Sequence, residues 1–377
     1  MISKLILRRI QKHPYRVLFS VLAISSVISL VMVLEGFREG IFQQIRHMVL
    51  SRGADVIVSQ AGVSNMIASR SLLPQLSRIE IEKIEGVLQA HPLTTLPVIY
   101  HQGNRSTPVF VIVYDTYGGP TEIEQGSSIE KGRDIVIDKS LSAIYGLQLG
   151  DDFIISDFKF KVAGISKNTA AFFAPFAFIK YDDLIDLYFD SDIVGDLSTL
   201  PLLSFLMVEV SQNHSANKVI SEIEKLIPRA DAFLPEQIAE NDVAMSRSML
   251  GVVFQLMIFI SYVICVLVIS LIMFSTIQER KSELAVFKAI GFSQFKLSKL
   301  VFMETVVLTV LAIPIANIFA YLLAQLIQEI APVYLILSNE SGVLVRTFVA
   351  SIFFALLGAL LSLRTVVKLD PALAFRY

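Results

Sequence analysis

The 377-residue chain holds a single cysteine, Cys265, which excludes an internal disulfide framework and any cysteine-based zinc cluster. Cys265 lies inside an apolar run and reads as a small packing residue, so it says nothing about redox compartment. Charge is also scarce, at 18% of residues against roughly 25% in soluble domains. Lys and Arg number 32 against 34 Asp and Glu, a formal charge of -2, and this removes the bulk basic field that gives phosphate-backbone affinity. No nucleic-acid partner is expected. With 18 Gly and 13 Pro the chain is not collagen-like, low-complexity or disordered. Its apolar share of 54%, its 26 Phe and a mean hydropathy of +0.63 point instead to lipid as part of its solvent.

Recognisable catalytic chemistry is equally sparse. His91, His101 and His214 are isolated in sequence, with no His-Glu-x-x-His spacing, and are expected to be solvated or hydrogen-bonded surface residues. No Gly-x-Ser-x-Gly elbow occurs, and Asp151 and Asp152 read as turn residues rather than an acid/base pair. Three Asn-x-Ser sequons, at Asn104, Asn213 and Asn339, carry no assigned function. A Gly-x-x-x-x-Gly-Lys-Ser/Thr loop is missing too, so ATP used through such a loop must be hydrolysed on another chain. No metal or cofactor is expected on this one.

What the sequence does contain is four runs long enough to cross a hydrocarbon core of about 30 Å at about 1.5 Å per residue. They are 17–34, 250–277, 300–327 and 347–363, and Glu304 is the one ionised side chain among them. The first follows a basic segment (Lys4, Arg8, Arg9, Lys12, Arg16) in the manner of a secretory signal. It leads into Glu35-Gly36-Phe37-Arg38 rather than a small-residue cleavage site, and is read as an uncleaved span. Cations concentrate in 1–16, in 278–299 (Arg280, Lys281, Lys288, Lys296, Lys299) and in 364–377 (Arg364, Lys368, Arg376), whereas 328–346 has only Arg346. By the positive-inside tendency both termini and 278–299 are expected in the cytoplasm of a bacterium, with 328–346 a short outer loop. The segment 35–249 then lies outside the inner membrane.

That segment alternates short β-type runs with amphipathic ones, as a mixed α+β domain does. Strands are expected at 54–59, 96–100, 108–114, 134–137, 153–156, 158–163 and 205–210, and helices at 79–90, 140–145, 182–187 and 216–227. From Pro235 onward a helical pattern runs into the second span as a stalk. The expected fold is therefore an α-helical membrane protein of four spans with an extracytoplasmic α+β domain.

The stretch 278–292, Gln-Glu-Arg-Lys-Ser-Glu-Leu-Ala-Val-Phe-Lys-Ala-Ile-Gly-Phe, reads as a short amphipathic helix with a glycine stop. Leu284, Phe287 and Ile290 share a face, acidic residues open it and Lys288 closes it, as the helix dipole favours. By composition alone this could be an interfacial helix turning the chain between two spans. The run from Glu279-Arg280 to Gly291, followed by Glu304, resembles the signature of the FtsX/MacB/LolC permeases, the type VII ABC transporters. Ile137-Asp138-Lys139-Ser140-Leu141, Tyr145-Gly146-Leu147-Gln148-Leu149-Gly150-Asp151 and 160–165 resemble the MacB-type periplasmic core, and Asp370-Pro371-Ala372-Leu373-Ala374-Phe375-Arg376 is similar to the family's tail. Without a fused nucleotide-binding domain, the sequence looks most like stand-alone permeases of the DevC or HrtB kind.

The resemblance implies a permease subunit working by mechanotransmission: a second permease copy, a separate ABC ATPase that binds ATP and Mg, and in some members a membrane-fusion protein. It implies that Glu279, Arg280, Glu283, Leu284, Phe287, Lys288 and Gly291 contact the ATPase. Its expected task is export or extraction of an amphiphile at the outer leaflet. Glu304 is expected to be structural, paired with Lys296 or Lys299 at the cytoplasmic rim. Glu35, near Met32, either marks the membrane exit or faces a cleft between permease copies and binds a cationic or metal-bearing substrate such as haem. Alternatives are a signalling permease that regulates an external partner, a membrane-anchored sensor or receptor and, last, a membrane hydrolase.

Overall fold

The computed structural model describes residues 14–67, 71–120, 122–155, 158–167, 169–170, 173–190 and 202–367. Lys4, Arg8, Arg9, Lys12, Lys368 and the tail sequence 370–376 lie outside the described residues. The first element is the 37-residue helix α1 (Pro14–Leu50). The chain continues through β1 (Val56–Gln60), β2 (Leu73–Pro74), α2 (Leu76–Ile81), β3 (Val87–Gln102), β4 (Arg105–Tyr114), β5 (Ile123–Gly126) and β6 (Asp134–Asp138). There follow α3 (Lys139–Tyr145), β7 (Asp152–Ile155), β8 (Phe158–Ser166), β9 (Phe176–Lys180), α4 (Tyr181–Asp190), β10 (Leu202–Leu203), β11 (Phe205–Val210), α5 (Ala216–Leu226) and β12 (Ala230–Phe233). The last helices are α6 (Pro235–Glu279), α7 (Lys281–Ala289), α8 (Gln294–Ile330) and α9 (Ser341–Val367). Among the described residues, α1, α6, α8 and α9 each hold a stretch long and apolar enough to cross a membrane.

Two compact units result: a helical one comprising the residues through Glu39, Gly251–Ile327 and those from Ile336 on, and an α+β one comprising Gly40–Leu250 and Gln328–Leu335. Helices α1 and α6 each contribute residues to both.

The helical unit is centred on Ile24, Ile28 and Met32 of α1, Cys265, Ile269 and Met273 of α6, and Leu297, Val301 and Leu308 of α8. Ala312, Ala316, Ala320 and Ala324 repeat every fourth residue along α8, so one face of that helix carries only methyl groups and a neighbouring backbone can approach. Ser25 of α1 uses this closeness: its hydroxyl lies 3.0 Å from the carbonyl of Ala312 and 2.6 Å from that of Val21, so a buried polar group stays satisfied.

In the α+β unit a mixed sheet of ten strands runs β12-β1-β11-β3-β4-β9-β6-β8-β5, with β7 pairing β8. The β4·β9 and β6·β8 pairs are parallel and the others antiparallel. Strands β1, β6 and β9 are buried on both faces, and the period-2 geometry of strands distributes their side chains. Val56 and Val58 enter one cluster with Val219 and Ile223 of α5, while Ile57 between them enters another with Met207, Phe178 and Ile238. In β6, Ile135 and Ile137 likewise join a third cluster around Phe153 and Phe160, and Val136 faces away from it.

The expected helix 79–90 is corrected: α2 stops at Ile81, and from Val87 the chain is strand. Gly86 adopts φ +95, a conformation that an L side chain resists, and this ends the helical path. Strand β9, short and apolar on both faces, is not among the expected strands, and neither are β2, β5, β10 and β12.

Candidate functional site: the loop helix and its ion pairs

The segment between α6 and α8 is built around α7, nine residues long. Its C-terminus is a Schellman turn. Gly291 takes φ +98, its N–H donates to the carbonyl of Lys288 (3.2 Å), and the N–H of Phe292 donates to that of Phe287 (3.0 Å). The hydrophobic contact that accompanies such a turn is present, because the rings of Phe287 and Phe292 lie 5.3 Å apart. Phe287 is thereby folded back and packs against the helical core.

This changes the expected apolar face. Leu284 is 1% exposed and belongs to the helical core, and Ala285 beside it is buried as well. Of the three apolar residues read as one docking edge, Ile290 alone is largely open, at 71% exposure. Two apolar residues that the periodicity did not single out are open as well: Val286, one turn before Ile290, and Phe295, 78% exposed in the first turn of α8. Phe295 could have been suspected from its setting, a large aromatic among Ser293, Gln294 and Lys296. Glu283 is exposed near these residues in sequence, Glu279 pairs with Arg16 at 3.2 Å, and Lys288 lies in the last turn of α7.

Arg280 does not face outward as expected. It stands between α6 and α7 with φ -111 and ψ 15, outside the helical region. Its Nε donates to Glu283 Oε2 and its Nη1 to Glu304 Oε2, both at 3.0 Å. The side chain is 17% exposed and that of Glu304 7%. The expected partner of Glu304, Lys296 or Lys299, is therefore corrected to Arg280. Lys296 is two turns, about 12 Å, away along the same helix, and Lys299, five residues away, points about 140° around it.

Met32 is buried in the helical core. Glu35 is buried with its carboxylate engaged by Arg38 Nη2 (2.5 Å), Tyr262 Oη (3.3 Å) and Arg346 Nε (3.7 Å). Arg346 also donates to Glu39 at 2.9 Å, so α1, α6 and α9 meet in one ionic cluster. A carboxylate held this way has its charge already balanced.

In the α+β unit, Asp151 accepts from the N–H of Gln148 (2.8 Å) and Asp152 pairs with Lys161 (2.5 Å), which are turn and hairpin roles. His101 reaches Ser106 Oγ at 2.7 Å. His91 departs from the surface role expected of it: it is buried on β3 against the ring of Tyr117, neither ring nitrogen has a hydrogen-bond partner, and Asp115 Oδ2 lies 3.7 Å from Nδ1. Burial holds its pKa below the ordinary 6.5. Among the described residues no group of three or more His, Cys, Asp or Glu converges as metal ligands would.

Four helices long and apolar enough to cross a membrane, a mixed α+β unit and a loop helix tied back to the helical unit define a membrane-embedded subunit. The family follows from comparison. The model for the MacB-like periplasmic core domain matches residues 17–226 and that for the FtsX-like permease C-terminal region matches 256–371, so the chain belongs to the MacB/FtsX-type ABC transporter permeases. An uncharacterized ABC transporter permease of Mycobacterium tuberculosis is 23% identical over 371 residues, 98% of each chain. A Staphylococcus epidermidis protein bearing the name hemin transport system permease protein HrtB is 21% identical over 362 residues, 94% of each. The periplasmic region of MacB from Actinobacillus actinomycetemcomitans aligns with TM-score 0.36 and 14% identity, covering 51% of this chain and 94% of that one.

Proposed function

We propose that this permease works by mechanotransmission, exporting or extracting an amphiphile at the outer leaflet with ATP hydrolysed by a separate subunit. The single observation that supports this best is that Val286, Ile290 and Phe295 are apolar and open on a segment whose Leu284 and Leu297 are buried in the helical core, and we take the three as one docking patch. An ATPase groove would cover it, with Glu283 and Lys288 setting register. Gly291 supplies the turn that presents the patch, and Glu279 and Arg280 act behind it. Helices α1 and α6 are each unbroken between residues of the helical unit and residues of the α+β unit, which suits them to carry displacement from one to the other.

In this reading two permease copies pair, both termini and the loop lie in the bacterial cytoplasm, the α+β unit lies outside the inner membrane, and a membrane-fusion protein completes the path. The name of the staphylococcal relative makes haem the first substrate to try. Tagging the chain, extracting it in mild detergent and identifying stoichiometric partners by mass tests the reading. Recovery of an ABC ATPase, active in the complex, is the expected result. A chain that purifies alone from cells expressing its neighbouring genes would overturn it and favour a sensor or receptor.

A further inference from the structure

The joint between α6 and α7 is one residue long, and that residue is Arg280. A single non-helical residue fixes little by itself, so what holds α7 in place is its side-chain contacts. Two are visible. Leu284 plugs the helical core, and the Arg280 guanidinium bridges Glu283 on α7 to Glu304 on α8, both at 3.0 Å. The backbone reinforces the joint: the N–H of Arg280 donates to Ile277 (3.2 Å) and its carbonyl accepts from Leu284 (3.0 Å). Charge-assisted hydrogen bonds of this kind, largely withdrawn from water, are stronger than neutral ones and lose much when one partner is removed.

From this geometry we infer that Arg280 is a clamp: a positioning residue that passes load from α7 to α8, rather than a contact to the ATPase. The inference rests on the docking patch proposed above, because Val286 and Ile290 project from the same short helix that Arg280 fastens. Force applied to the patch would reach α8 through the Arg280–Glu304 pair and the core through Leu284. Without the pair, the ATPase would still dock, but α7 would yield under it.

The test uses the full chain in nanodiscs, with and without the ATPase that co-purifies with it. Hydrogen exchange over 281–290 is measured first on the permease alone, for wild type, Arg280→Gln, Glu304→Gln, the double variant and Arg280→Lys. Each Gln variant is expected to lose protection by about tenfold or more. The double variant is expected to lose no more than the worse single one, as coupled partners do, and Arg280→Lys to recover part. In the complex, ATPase affinity is expected within about threefold of wild type, while permease-dependent stimulation of hydrolysis is lost. Wild-type protection in both Gln variants would overturn the clamp. So would a loss of affinity in Arg280→Gln as large as that in Phe295→Ala, which would make Arg280 a direct contact. Melting temperatures identify any variant that fails to fold, and Glu304→Gln, nearly isosteric, carries the test in that event. If no ATPase co-purifies, exchange alone decides the clamp, and the permease-coupling reading is what has failed.

Discussion

Truncating the loop helix on its two sides should have opposite effects. Leu284 is buried in the helical core, so Leu284→Ala removes packed atoms and should destabilise the chain by about 2–5 kcal/mol. Ile290 and Phe295 stand mostly in solvent, so replacing both by Ala should shift stability by no more than about 0.5 kcal/mol. If they anchor an ATPase, each truncation should weaken binding by about 1–2 kcal/mol. Together, if additive, they should raise Kd roughly 30- to 700-fold. Thermal unfolding of the detergent-extracted chain reads the first effect, and biolayer interferometry against the co-purifying ATPase reads the second. The reasoning fails if the Ile290→Ala/Phe295→Ala chain binds as wild type does, or if Leu284→Ala melts normally and loses binding.

Three other expectations concern separate regions. Burial depresses the His91 pKa, so the native state binds fewer protons than the unfolded chain below about pH 6.5; its stabilising contribution is complete above that value and is lost as pH falls through the depressed native pKa. His91→Phe should therefore flatten the decline in melting temperature between about pH 7 and pH 5, and unchanged slopes would rule the assignment out. Because Arg38, Tyr262 and Arg346 already occupy the Glu35 carboxylate, Glu35→Gln should lower the melting temperature and leave any Soret shift on haem titration as in wild type; loss of the shift at an unaltered melting temperature would return Glu35 to the substrate path. Phe153 is fully buried and stacks on Tyr100 with centroids 4.1 Å apart, so Phe153→Ala should cost about 3–5 kcal/mol, and a loss under 1 kcal/mol in chemical denaturation would contradict that packing.

How far the sequence was legible follows from the range of the forces involved. The four membrane-type helices could be read directly, since an uninterrupted apolar run declares itself without reference to the rest of the chain. Strands such as β6 and β11 were visible as short β-branched and aromatic runs, whereas the cap that starts α3, Asp138 Oδ1 accepting the N–H of Ser140, was not singled out. The expected helix 79–90 runs through Gly86 because Ile84, Val87 and Leu88 continue a helical spacing of apolar residues, whereas the glycine redirects the chain into β3. The site was harder. Periodicity placed Leu284, Phe287 and Ile290 on one face, but it could not say that α8 and the core would cover the first and the Schellman turn would fold in the second. Arg280 and Glu304 are 24 residues apart, and Tyr262 is 227 residues from Glu35. Pairings at such distances depend on tertiary packing and leave no local trace. A buried histidine such as His91 was missed for the same reason, since nothing beside it in sequence announces that Tyr117 will lie against it.

The claim on which the rest depends is that the open face of α7, and not its buried face, meets an ATPase. A photo-crosslinking amino acid placed at position 290 or at position 284, irradiated in native membranes, tests this directly. A crosslink from 290 to a protein of ABC-ATPase mass, with none from 284, is the outcome predicted. No crosslink at 290, or equal crosslinking from both positions, would contradict it.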